Sequence, residues 1–147
     1  MNLLLQFFLN KEAFTLALHQ HVGLLILRTL FGFSILINYG YPTLLGLLEG
    51  DIDYPDPLGL GSLTSKILMT FAEFGCSALM GLGLFTRFAA VTLVIGFGVA
   101  FFIFHHGDPF GHKELAYLYG SAALSVLLLG PGRFSIDDLL RRKTRYH

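Results

Sequence analysis

The feature that most constrains this 147-residue chain is a series of long apolar runs almost free of charge. The first extends from Val22 to about Leu45, broken by Arg28, Ser34 and Asn38. Roughly 20 consecutive apolar residues cross the hydrocarbon core of a bilayer. Three further runs lie at about 63–85, 88–105 and 114–130. Short polar breaks separate them. EGDIDYPDPLGLGS (Glu49 to Ser62) is acidic and rich in Pro and Gly, which marks an extramembrane loop. Thr86 and Arg87 make a tight break, HHGDPFGHK a short polar loop, and GPGR stops the last run.

Four such runs and their connections nearly fill the chain, so residues 1–147 read as a single membrane domain. Composition agrees: 54% of residues are hydrophobic and 14% charged. An ordinary soluble domain carries about 25% charged residues. The expected fold is all-α, an integral membrane four-helix bundle. The formal net charge of zero argues against a nucleic-acid partner. The single cysteine, Cys76, excludes an internal disulfide and any C-x-x-C redox pair. It reads as a small packing residue.

Lysine and arginine set the orientation. Counting alternate loops, one side holds Lys11, Arg87, Arg133, Arg141, Arg142, Lys143 and Arg145. The other holds Lys66 and Lys113 beside six acids. Both termini are therefore expected to be cytoplasmic, in a multi-pass protein of a bacterial cytoplasmic (inner) membrane. The apolar stretch before Asn10 is too short to span and is expected as an interfacial helix. At the other end, Ser135 stands three residues before Asp138, followed by Leu139, Leu140 and a basic cluster. That pattern predicts a capped, short interfacial helix with its cations near lipid headgroups. A solvated basic tail fits the same residues.

The polar residues within the runs are the candidate site. Glu73 lies in LMTFAEFGCSALMGLGLF with no charge close by in sequence. A buried ionisable residue normally faces the protein interior and is a functional candidate. By depth, Asn38, Glu73, His105, Glu114 and Tyr117 all belong to the outer half of the membrane. Arg28 lies near the cytoplasmic end of the first run. It either snorkels to the headgroups or pairs with Glu73. A metal site is not expected, because adjacent histidines on a helix diverge by about 100°.

Several segments resemble the DoxX family of small four-helix membrane proteins: RTLFGFSILINYG, AEFGCSALMGLGLFTRFAA and KELAYLYGSAALSVLLLGPGRFSID. The resemblance covers about Leu25 to Leu140. The A-E-x-x-G…G-L-x-T-R block together with G-P-G-R-F-S-x-D carries it. It implies family positions for Arg28, Gly32, Glu73, Arg87, His105 and Glu114. Where members often have His-Gly near the end of the first span, this chain reads INYG, and the amide of Asn38 does not titrate.

The resemblance implies membership of a membrane assembly, because the family includes a subunit of a thiosulfate:quinone oxidoreductase. Three readings stand. The first is a non-catalytic accessory or scaffold subunit that docks other membrane proteins. The second is a quinone-interacting subunit of a redox complex, with electrons supplied by a partner. The third is a small-solute or lipid carrier. The chain holds no flavin, nicotinamide or cluster motif and no complete catalytic constellation, so quinone is the one cofactor in view. Small residues four apart (Ser77 and Gly81, Gly96 and Ala100, Ala116 and Gly120) suit close helix packing or a homo-oligomer face.

Overall fold

The computed structural model describes residues 18–143. All regular structure in that range is helical. Helix α1, Leu18–Leu48, contains a wider π-turn at Leu36–Gly40. Pro42 accounts for it: proline has no N–H to offer the carbonyl four residues back. The chain answers with one loosened turn, in which the Tyr41 N–H reaches the Leu36 carbonyl.

Helix α2, residues 62–82, joins Ser62–Thr70, a π-turn at Phe71–Cys76, and Ser77–Leu82. Helix α3 is Thr86–Phe104, with a π-turn at Ala100–Phe104, and α4 is Phe110–Leu129. A short helix, α5, covers Ile136–Lys143. The expected interfacial helix before Asn10 lies outside the described residues. The expected tail helix is α5, and Ser135 caps it by accepting the Asp138 N–H at 3.1 Å.

Helices α1 and α3 are long and apolar enough to cross a membrane. Helices α2 and α4 have comparable length and more polar residues, among them Lys66, Thr70, Glu73, Lys113 and Glu114. Apolar side chains also cover the outside: Leu30, Ile95, Phe102 and Leu128 are all more than half exposed. Helices apolar on every side belong to a large core or a membrane.

Helix α1 packs on the C-terminal half of α2 and on α4, and α3 packs along α4. Small residues make these approaches possible. A Cβ at Gly32 would stand 2.8 Å from Gly81 Cα and from the Ser77 carbonyl. A Cβ at Gly40 would run into the backbone of Glu73. The π-turns of α1 and α2 therefore press directly on one another. Leu24, Ile35, Met80, Ala89, Leu93, Phe97, Tyr119 and Val126 fill the interior.

Candidate functional site

Polar groups collect at two ends of the fold. At the end carrying the 49–61 loop, Glu73 is 5% exposed and points from the α2 π-turn toward α1. Thr43 Oγ1 lies 3.2 Å from Glu73 Oε2 and 2.7 Å from the Tyr39 carbonyl. The Ser77 hydroxyl donates to the Glu73 backbone carbonyl. Deeper in, Ser34 Oγ and Tyr119 OH meet at 2.9 Å, with the Tyr119 ring between those of Phe31, Tyr39 and Phe97.

The loop is pinned rather than draped. Lys66, 3% exposed, reaches up to the Asp51 carbonyl and to Asp51 Oδ2 at 3.0 Å. Asp56 accepts from Leu60 N, Gly61 N and Ser65 Oγ at 2.9, 2.7 and 2.7 Å. The Lys66 hydrogen bond holds the Asp51 carboxyl below its ordinary range, and the Ser65 hydrogen bond does so for Asp56. Between these anchors Tyr54 folds inward. Burial first, and nearness to Glu73 second, push its phenol up to about 12.

Beside this junction a cleft of about 350 Å³ opens between α2 and α3. Phe71, Met69, Ala72, Gly96 and Phe104 form its apolar walls, and Tyr54, Pro55 and Pro57 form its roof. Three hydroxyls line it. Ser65 donates to Asp56, and Thr92 donates to the Phe88 carbonyl at 3.1 Å. The Tyr54 hydroxyl has no hydrogen-bond partner among the described residues.

The second polar cluster lies at the opposite end, where α5 meets the α2–α3 turn. That turn closes with Gly83 in the left-handed region at φ 74°. Leu84 N bonds Leu79 O at 2.9 Å and Gly83 N bonds Met80 O at 3.1 Å, the paired closure of a Schellman cap. Asp137 then caps α3 from outside. Its Oδ1 accepts Phe85 N at 2.8 Å, and its Oδ2 accepts Thr86 N and Thr86 Oγ1 at 2.9 and 2.8 Å. Asp137 N returns a bond to Gly83 O at 2.9 Å.

Arg28, 2% exposed, belongs to this cluster. Its Nη2 donates to the Phe134 carbonyl, and Asp137 is the charge that acts on it. The pairing of Arg28 with Glu73 is therefore overturned: the guanidinium is committed to the tail segment. Glu73 has no ion pair among the described residues.

The other expected site residues do not gather around Glu73. Asn38 is exposed and bonds back to the Ser34 carbonyl at 2.8 Å on its own helix. His105 bonds Asp108 at 2.6 Å within the 105–109 turn, and that contact holds the Asp108 carboxyl low. Glu114 is exposed. Tyr117 is half-exposed and stacks near Phe101 and Phe110. No hydrogen bond or ion pair joins any two of these six residues among the described residues. Depth along each helix placed five of them, all but Arg28, in one layer, but rotation about the helix axes turns those five apart.

Thr43, Tyr54 and Asp137 escaped the sequence reading. Thr43 falls one turn after Tyr39, and a threonine bonding back to its own helix leaves little pattern. Tyr54 sits in a loop whose acids and prolines signal solvent. Asp137 did leave a signal, since both motif blocks of the resemblance meet in the Asp137–Thr86 contact.

The DoxX family model matches residues 23–106, more than half of the chain. This protein belongs to the DoxX family. It is a membrane protein of that family, and the matched region runs from α1 to the end of α3, including Arg28, Glu73 and the cleft walls. The match ends before α4 and the GPGRFSID segment. No curated protein and no solved structure gives a significant match.

Proposed function

We propose that this DoxX protein is an accessory subunit of a bacterial inner-membrane assembly that holds a quinone-class lipid in the α2–α3 cleft. In this reading all four long helices cross the bilayer and both termini are cytoplasmic. Glu73, Tyr54 and the cleft then lie in the outer half. The observation that carries the reading is the unpartnered Tyr54 hydroxyl roofing an apolar cleft of about 350 Å³. Small-molecule sites are mostly apolar, with a few placed polar groups, and run from about 300 to 1,000 Å³. A quinone carbonyl needs a donor, and its isoprenoid tail needs an exit into lipid. Tyr54 supplies the donor, and Leu68 and Ile95, exposed apolar residues of the lining, supply an edge for the tail to leave by.

The chain binds and orients in this scheme, and a partner protein delivers electrons. Tyr54 donates to one quinone oxygen. Glu73, whose charge acts on Tyr54 and which meets Thr43, is a group able to hold a proton for that phenol. A pure scaffold role has less support. Gly32, Gly40 and Gly81 are spent on contacts between α1 and α2, and Gly120 approaches Phe97 on α3. They are not an outward docking face. A carrier role would need a water-filled vestibule, and the cleft is a side pocket with apolar walls.

The test is mass spectrometry of quinones in protein purified gently from its own membrane. A Cβ at Gly96 would meet only Met69 Sδ and Ala72 Cβ at 3.8 and 3.9 Å, so Gly96→Leu fills the cleft while the turn of α3 is kept. The expected result is stoichiometric quinone in the parent protein and none in Gly96→Leu. Tyr54→Phe should weaken retention about three- to ten-fold, the worth of one neutral hydrogen bond. Quinone-free parent protein with a co-purifying membrane partner would replace this reading with the scaffold.

A further inference from the structure

A second cavity, of about 570 Å³, lies at the end of the fold away from the cleft, where the start of α1 meets α5. Its lining is of two kinds: Leu18, Phe134 and Leu139 are apolar and exposed, and Arg133 and Arg142 are cationic. Neither kind alone would say what occupies it. Together, at the end of a membrane-crossing helix, they select a ligand with an anionic head and an apolar body.

The surroundings keep this cavity positive. Helix α5 has two acids: one is committed to α3, and the other is shared between Arg141 and the cavity's own Arg142. Asp137 caps α3 through Phe85 and Thr86. Asp138 is 8% exposed and lies 2.6 Å from both Arg141 Nη2 and Arg142 Nη2. Burial would raise its carboxyl, but Arg141 and Arg142 outweigh burial and hold it low. Arg142 thus reaches the cavity with its orientation fixed by Asp138. The Arg133 guanidinium has no ion pair among the described residues.

The walls are also held in place before any ligand arrives. Arg28 bonds the Phe134 carbonyl, Arg133 N donates to His21 Nδ1 at 3.3 Å, and Asp137 ties α5 to α3. A site whose groups are already ordered loses less entropy on binding.

We propose that this cavity binds the head group of an anionic phospholipid. Arg133 and Arg142 take the phosphate. Phe134, Leu139 and Leu18 pack against the glycerol and the first acyl carbons. Basic pockets at the cytoplasmic ends of membrane helices suit such head groups. The apolar three distinguish a lipid from a free phosphate, which would gain nothing from them.

The test uses the full chain, delipidated in mild detergent. It is titrated with phosphatidylglycerol or with phosphatidylcholine of the same acyl chains, and bound lipids are counted by native mass spectrometry. The expected result is one tightly held phosphatidylglycerol and no matching phosphatidylcholine. Arg133→Gln or Arg142→Gln should each weaken it about five-fold, and the pair about thirty-fold. Lys143→Gln, outside the cavity lining, should leave the tight site unchanged. Millimolar inorganic phosphate should not compete.

Equal retention of both lipids overturns the proposal, as does a double variant that keeps its preference. A Lys143→Gln loss equal to that of Arg133→Gln would mean diffuse attraction to a charged surface, which also overturns it. Displacement by inorganic phosphate would make the ligand a soluble anion instead. Melting temperature is read for every variant, and Arg133→Gln alone carries the test if the double variant fails to fold. Failure here leaves the quinone reading untouched, because the two cavities share no residue.

Discussion

Asp137 caps helix α3 from a different part of the chain: its Oδ2 accepts the Thr86 N–H at 2.9 Å and the Thr86 hydroxyl at 2.8 Å. Most helix caps are local, with the capping residue just before the first turn. Here Phe85 occupies that place in the left-handed region at φ 46°, and its own side chain gives no capping bond. A carboxylate 51 residues away does the work instead. It stands at the positive end of the α3 dipole and beside buried Arg28. One side chain therefore joins α1, the α2–α3 turn and α5.

Asp137→Ala should destabilise the protein by about 2 kcal/mol, the upper range for losing a helix cap. Thr86→Ala should cost less, since two of the three accepted bonds come from backbone groups. The two losses should not add, because they share one contact, and their coupling should be about 0.5–3 kcal/mol. Thermal unfolding of the parent, both single variants and the double variant in one detergent measures this. Full additivity would mean that the contact carries no stability.

Gly83 is the neighbouring position where a side chain cannot be accepted. Its φ of 74° costs any other residue about 1–3 kcal/mol. A Cβ there would also land on the Arg28 guanidinium. Gly83→Ala should therefore cost more than backbone strain alone, roughly 3 kcal/mol or more. In an Arg28→Ala background the same change should cost less, because the guanidinium is gone while the backbone strain and the Ser135 Cβ at 2.7 Å remain. Melting temperatures of the four proteins decide it, and an equal cost in both backgrounds would show that Arg28 moves aside freely.

Glu73 and Arg28 should behave as independent sites. Arg28 is bonded to Phe134 and Glu73 to Thr43, with no shared partner. Arg28→Leu strips the tail segment of its anchor and leaves Asp137 without its cation, so it should be clearly destabilising. Glu73→Gln keeps the shape and should be mild. Their effects should add within about 0.5 kcal/mol. The Thr43 hydroxyl has one proton and lies within reach of both the Tyr39 carbonyl and Glu73. If it donates to Tyr39, the Glu73–Thr43 bond needs a proton on Glu73. Infrared spectra should show the carbonyl stretch of a protonated carboxylic acid, absent in Glu73→Gln. A parent spectrum without that band would mean that Thr43 donates to an ionised Glu73 instead.

These contacts show what the sequence could and could not disclose. Hydropathy exposed the apolar runs, because burying or solvating a whole helix is a sum over many residues. Ser135 as the α5 cap was legible, since capping is local and has a fixed spacing. The environment of Glu73 was half legible. Its burial followed from the apolar run around it, but its partner did not. Depth comes from counting residues, whereas facing depends on helix rotation and on π-turns that shift the register. The turns at Leu36–Gly40 and Phe71–Cys76 bring Gly40 onto Glu73 and Thr43 within reach. Arg28 was misdirected for a related reason: the competing acceptor was a backbone carbonyl, which no residue pattern announces.

The loop over the cleft should open in acid. Asp56 holds Leu60 N, Gly61 N and Ser65, and its carboxyl is lowered first by the Ser65 bond. Asp51 is lowered first by its bond to Lys66. A depressed folded pKa means that the stabilisation is complete above the unfolded value, about 3.9 for aspartate. It is lost as pH falls through the lower folded value. The roof should therefore be closed across the neutral range and loosen only below about pH 4. The protection factors of the Leu60 and Gly61 amides, corrected for the pH dependence of intrinsic exchange, should be high at neutral pH and fall in that acid window. Asp56→Asn should show the lower protection already at neutral pH and should release cleft-bound quinone more readily than the parent. If protection of those amides is indifferent both to acid and to Asp56→Asn, something other than Asp56 holds the roof over Tyr54.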